Sequence, residues 1–184
     1  MTNKLISATI FNIIIIATLL FTFLSYADEI EIPMYKTSLT GQGKHVGYLF
    51  AKDTNFGLLI TPFLDGFMPG LHGFHIHEYP SCEARNATAG FGAGKCFDPF
   101  DAGQHLGPYN EEGHLGDLPV LYANSKRQIR TPVLAPRLTL ADTIGHSFVI
   151  CEGPDNYSDE PKKTGGGGAR SACGFIPVRK KNSW

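Results

Sequence analysis

The 184-residue sequence has no block of basic residues, and its formal net charge is only −1. That excludes the electrostatic footprint of a nucleic-acid-binding protein. No segment carries a sustained helical period of apolar residues, which argues against a helical bundle or a coiled coil. Cysteine is sparse, with four in the chain, and none directly follows the most plausible cleavage point near the N-terminus, which argues against a lipid-anchored form.

One long apolar run is present. It follows Lys4, extends from about Leu5 to Leu24, and ends in Ser25-Tyr26-Ala27, small residues at the −3 and −1 positions of a cleavage site. Residues 1–27 are read as a signal peptide and residues 28–184 as one domain of ordinary size. The rival reading is an uncleaved anchor, since roughly 20 apolar residues can span a bilayer. An exported chain, periplasmic or otherwise secreted, meets an oxidising compartment, where its four cysteines could pair in three ways. After cleavage no membrane attachment is expected.

The remaining sequence is rich in short β-type runs. Val46-Gly47-Tyr48-Leu49-Phe50 and Phe56-Gly57-Leu58-Leu59-Ile60 are bounded by Gly, Pro, Asn and Asp. Leu118–Asn124 and Gln128–Leu134 flank Ser125-Lys126-Arg127 as a hairpin candidate, with Ser147–Ile150 and Gly174–Val178 as later strands. About eight such strands predict an all-β Greek-key β-sandwich, or flattened barrel. Tyr79–Gly116 and Glu152–Ala169 are too long and irregular to be strands, and long loops in a compact domain are usually functional.

Five of the seven histidines, His72, His75, His77, His105 and His114, fall between Leu71 and Pro119, together with Asp117. In Gly73-Phe74-His75-Ile76-His77 the two imidazoles sit two apart, on the same face of a strand. His105, His114 and Asp117 add two nitrogens and a carboxylate among Gly and Pro, a donor set that suits zinc. Any one of these histidines alone would more often be a surface or core residue; the cluster makes a metal centre the better reading. Gly165–Gly168 could be a flexible linker or a place where backbone passes close to a site. Arg170, Lys162 and Lys163 could guide a small anion.

The strings GFHIHEYPSC, QHLGPYN, GHLGDLP, LAPRL, DNYSD and GGGGARSACG resemble the Cu,Zn superoxide dismutases of bacterial periplasms, over nearly all of the chain beyond residue 27. The resemblance implies that His75 and His77 bind copper and that His105, His114 and Asp117 bind zinc. It also implies a Cys82–Cys173 disulfide, an active-site arginine at Arg170, and at Asp155 a carboxylate that bonds one histidine at each metal.

Two positions depart from the family pattern. Cys96 stands where a histidine bridging copper and zinc is expected, and Cys151 where the last copper histidine is expected. A single sulfur cannot copy a two-nitrogen bridge, and thiolates favour Cu(I). Zinc is the expected cofactor, with Cys96 a candidate fourth ligand, and copper is the second metal. Three functions follow: a weak or inactive dismutase acting on superoxide, a non-enzymatic copper and zinc binder, or a zinc-stabilised structural relative in which a Cys96–Cys151 disulfide closes the copper pocket. The chain is expected to be a monomer or a homodimer.

Overall fold

The computed structural model describes residues 29–178. The segment read as a signal peptide, residues 1–27, lies outside the described residues. Ten strand segments are present among those described: β1 (Glu29–Ser38), β2 (Gly41–Thr54), β3 (Gly57–Asp65), β4 (Gly70–His72), β5 (Phe74–His77), β6 (Leu121–Ala123), β7 (Gln128–Ile129), β8 (Val133–Ala135), β9 (Ser147–Cys151) and β10 (Arg170–Phe175). The only helical segments among these residues are three short 3-10 turns. None is long and apolar enough to cross a membrane.

Alternation drives the long strands. In β3, Leu58, Ile60, Pro62 and Leu64 are buried, while the residues between them are partly or fully exposed. β1 does the same with Ile32 and Met34. Such a period of two supplies one apolar face to a core and one wet face to solvent. β5 and β9 are buried at every residue, because the barrel core covers one face and the long loops cover the other.

The sheet runs β4-β6-β7-β3-β2-β1-β10-β9-β5, with β8 also paired to β3. Its two ends, β4 and β5, are neighbours in the chain, separated by Gly73 alone. The chain therefore leaves one edge of the sheet and enters the other within a single residue, which curls the sheet into a nearly closed barrel. Consecutive strands β3 and β4 are separated in the sheet by β7 and β6, the crossing expected of a Greek key.

The expected eight strands become ten segments for two local reasons. Gly73 divides β4 from β5, and Arg130-Thr131-Pro132 divides β7 from β8, since Pro132 has no N–H to donate to a ladder. Two boundaries also differ from the sequence reading. The last strand runs Arg170–Phe175 rather than Gly174–Val178, because it pairs with β9 from Arg170↔Cys151 onward. The first hairpin arm shortens to Leu121–Ala123; Leu118 instead donates its N–H to Phe74 O at 3.2 Å, joining the wall of the site.

The barrel interior is one cluster that includes Ile32, Met34, Leu49, Ile60, Phe74 and Phe148. A second, small cluster of Cys82, Ala93, Val149 and Cys173 lies under the loop after β5. There Cys82 and Cys173 form a disulfide across 91 residues of sequence, tying that loop to β10. Replacing both cysteines with alanine is expected to lower the unfolding free energy by about 2–4 kcal/mol. Denaturant titration checks this, and a loss below about 0.5 kcal/mol would contradict the anchoring role.

Candidate metal centre

The loop after β5 folds back along that strand as an irregular ladder. Ile76 donates its N–H to Gly116 O at 2.8 Å, Phe97 N donates to Ile76 O at 2.9 Å, and Gly116 N donates to Phe97 O at 2.8 Å. Isolated bridges pair His75 with Asp117 and His77 with Cys96. Residues far apart in sequence, such as His75 and Asp117, are thus brought together by backbone pairing. On the other side β5 is fixed by β9, with His75 opposite Val149 and His77 opposite Ser147.

The side chains meet at Asp155, in the loop between β9 and β10. Its carboxylate accepts from His75 Nε2 at 2.7 Å and from His105 Nε2 at 2.8 Å, one ring on each oxygen. Tyr157 N donates to the same carboxylate at 2.7 Å. These bonds fix both tautomers: with Nε2 committed to Asp155, each ring turns Nδ1 toward the centre. Asp117 Oδ1 lies 2.8 Å from His105 Nδ1 and 3.4 Å from His114 Nδ1. Its other oxygen accepts from Leu106 N and Gly107 N at 3.1 and 3.0 Å.

Two groups of potential ligand atoms converge within 4.8 Å: His75, His105 and Asp117, and Cys96, His114 and Asp117. His77 and Cys151 belong to neither. Cys151 Sγ is 3.9 Å from His75 Nδ1, and His77 donates its Nδ1–H to Gly94 O at 3.0 Å, which leaves Nε2 as its lone pair. Both Cys96 and Cys151 are free thiols, so the Cys96–Cys151 disulfide weighed from the sequence is not formed. His72 also stands apart, its ring spanning the carbonyls of Cys151 and Met68 at 2.8 Å each.

A test of fit to a cation comes from His114. Its Nδ1 is buried and has no hydrogen-bond partner among the described residues, a costly state for a polar atom that a coordinated ion would relieve. His105 and His114 nitrogens with an Asp117 oxygen and an adjacent thiol are a chemically sound zinc set. The copper side fits less well: two imidazoles are available, but no residue offers the two-nitrogen bridge that one sulfur cannot replace.

Several supports carry no signal in the sequence reading. Arg137 donates to His114 O and Gly113 O at 3.1 and 2.9 Å, clamping the segment that carries His114. Asp159 accepts from His105 N at 3.1 Å and from Thr164 N at 3.0 Å, locking the two loops together. The glycine run is a packing requirement rather than a linker. Gly165 has φ +71°, and a Cβ there would collide with the Asp155 carboxylate; a Cβ at Gly167 would come within 2.9 Å of Cys151 Cβ.

Arg170 donates to Gly90 O and Gly94 O at 2.7 and 2.6 Å, with its guanidinium 4.5 Å from the centre of the Phe91 ring. It is held by two carbonyls rather than a carboxylate, so its charge is not neutralised by direct pairing. Lys162 and Lys163 are exposed on the loop rim, and Lys163 lies 3.6 Å from Asp159.

In the metal-free protein the network is strongly charged. Burial alone would lower the pKa of His105, but its bonds to Asp117 and Asp155 outweigh this and raise it to about 10. His75 is likewise lowered by burial yet raised overall to about 9, chiefly by Asp155. Burial would raise both carboxylates, but the histidines hold Asp117 at about 2 and Asp155 well below its ordinary value. Burial, with the charges of Arg170 and His75, lowers His77 to about 3. Burial and the Asp117 charge push the Cys96 thiol up to about 12.

The sign of the linkage follows. Stability from His105 and His75 is complete below pH 6.5, their unfolded value, and is lost as pH rises through about 9 to 10. His77 acts oppositely, since its lowered pKa removes stability as pH falls from 6.5 toward 3. Metal-free protein should therefore have a maximum melting temperature near pH 6.5, falling on the order of 5 °C or more by pH 10. Calorimetry in chelator checks this, and a flat alkaline limb would contradict the charged network.

The sequence profile of copper/zinc superoxide dismutase (SODC) matches residues 46–176. The chain is 47% identical over 153 residues to a Cu-Zn superoxide dismutase of Neisseria meningitidis, covering 80% of this chain and 82% of that one. It is 48% identical over 157 residues to that of Actinobacillus pleuropneumoniae, with 83% of each covered. The structure is similar to the Cu/Zn superoxide dismutase of Brucella abortus, with a TM-score of 0.78 and 40% identity over 81% of this chain and 99% of that one. It is also similar to a superoxide-dismutase-like protein of Bacillus subtilis carrying two substitutions to histidine, with a TM-score of 0.65 and 28% identity over 80% and 96% of the two chains. With the barrel, the disulfide and the histidine–carboxylate cluster in place, the chain belongs to the copper/zinc superoxide dismutase family.

Proposed function

We propose that this is an exported metal protein of the family whose reaction, conversion of superoxide to oxygen and hydrogen peroxide, is weak or lost. The observation that carries this reading is the Asp155 carboxylate shared between His75 and His105. It retains a framework for two adjacent metals, while the positions that would link them and complete the copper shell hold Cys96 and Cys151. The disulfide supports export to an oxidising compartment.

His105, His114 and Asp117 would hold zinc, and His75 and His77 would hold copper. Copper supplies one-electron chemistry when bound, oxidising one superoxide and reducing the next. The chain's own contributions are positional. Arg170 presents an uncancelled positive charge to an incoming anion, with Lys162 and Lys163 on the rim. Gly94 O, accepting from both Arg170 and His77, fixes the guanidinium relative to a copper-side imidazole. Asp155 orients one ring at each metal. The departure lies at the thiols: a sulfur favours Cu(I), which resists the two-way cycling that dismutation needs, and the ring that could shuttle a proton between the metals is missing. The same softness favours a second reading, a non-enzymatic copper and zinc binder.

Zinc should act as a structural metal. Its removal by chelator is expected to lower the melting temperature on the order of 10 °C, because an ion bound only by folded protein adds its binding free energy to stability. An unchanged melting temperature would contradict it.

The enzymatic reading is tested by Cys96→His with Cys151→His in the copper- and zinc-loaded protein. Superoxide loss per bound copper should rise about tenfold or more, equivalent to ~1.4 kcal/mol of barrier, and each single replacement should gain less. A wild type already equal to the double variant would show that the cysteines do not impair the site.

A further inference from the structure

The two cysteines are not equivalent in their surroundings. Cys96 offers its sulfur to a group completed by His114 and Asp117, all within 4.8 Å of one another. Asp117 Oδ1 in turn lies 2.8 Å from His105 Nδ1, and the buried His114 Nδ1, 3.4 Å from the same oxygen, makes no hydrogen bond among the described residues. Asp117 is common to this group and to the one it forms with His75 and His105, so a thiol and two imidazole nitrogens are gathered about one carboxylate. Closed four-coordinate sites of this composition are what structural zinc takes.

Cys151 belongs to neither group of converging donors. It ends β9, its sulfur is 3.9 Å from His75 Nδ1, and Gly167 backs it so closely that an added Cβ would lie 3.3 Å from the sulfur. His75 is fixed by Asp155 and His77 by Gly94 O, so each ring keeps one nitrogen free to coordinate. Two imidazoles and one thiolate are a donor set that copper accepts.

We propose that the two thiols divide the family's linked metal pair into two separate sites, each with one sulfur: Cys96, His105, His114 and Asp117 closed around zinc, and His75, His77 and Cys151 around copper. This rests on the reading that both metal positions are used and goes beyond it by assigning each sulfur to one metal. No residue is shared between the two shells as a ligand. Asp155 links them through hydrogen bonds to one ring of each. The copper is held as a thiolate complex, and the zinc site is complete without it.

The test is element-specific X-ray absorption on the disulfide-intact chain with both thiols reduced, loaded anaerobically with one Zn(II) and one Cu(I). One sulfur at each metal is expected, near 2.3 Å at zinc. Cys96→Ser should remove sulfur from zinc alone and Cys151→Ser from copper alone. Co(II) in place of zinc should give a thiolate-to-metal absorption band that Cys96→Ser abolishes and Cys151→Ser leaves intact. Zinc without sulfur, both sulfurs on copper, or either replacement changing both metals would overturn the assignment while leaving occupation of the two positions standing. Failure of the reduced wild type to bind either metal would overturn the underlying reading as well.

Discussion

A carboxylate with both oxygens engaged by histidines holds the centre of this molecule together. Asp155 is buried, and a buried charge persists only where it is paired and hydrogen-bonded. Its partners, His75 on a barrel strand and His105 in the loop after it, come from opposite sides of the site. That requirement explains neighbouring features. Gly165 must lack a side chain to leave room for the carboxylate, and Asp159 must draw the His105 backbone toward the same loop. In the metal-free protein the histidines carry charge that the two carboxylates balance, so protons occupy positions that a metal cation would take.

The barrel supplies the rigidity on which that arrangement stands. A strand that switches sheet edges at Gly73 places His75 and His77 on the outer wall, with Phe74 and Ile76 buried in the barrel core. The long loop is then fastened to the wall at three kinds of contact: backbone ladder along β5, the Cys82–Cys173 disulfide, and the two carbonyl bonds from Arg170. Each is independent of metal. At His114 Nδ1, by contrast, a buried nitrogen is left without a hydrogen bond among the described residues.

In the proposed reading the cysteines change the chemistry and leave the architecture intact. A thiol is smaller than an imidazole and has one donor atom, so it fits the space but would link two metals only at a shorter separation than an imidazole does. Family membership fixes the fold and the frame of the site, while on the proposed reading the reaction depends on the sulfurs of Cys96 and Cys151. On that reading a soft sulfur beside copper would favour Cu(I), and one beside zinc would complete a closed shell.

Strand alternation in β2 and β3, the two long loops and the histidine cluster were legible in the sequence, because local periodicity and residue chemistry are properties of the chain itself. The pairing of Cys82 with Cys173 and the role of Asp155 were expected only through resemblance, since no spacing rule joins residues so far apart. The supports at Arg137, Asp159 and Gly94 O were invisible: an arginine bonding backbone carbonyls, or a carbonyl accepting from two side chains, leaves no pattern in a sequence. The ends of the last strand and of the hairpin arm depended on which partner each backbone group found. The sequence alone determined that cysteines stand at 96 and 151. Only the tertiary structure decided which donors each thiol faces, because that depends on the register of the loop ladder against β5 and on the packing of Gly167 against Cys151.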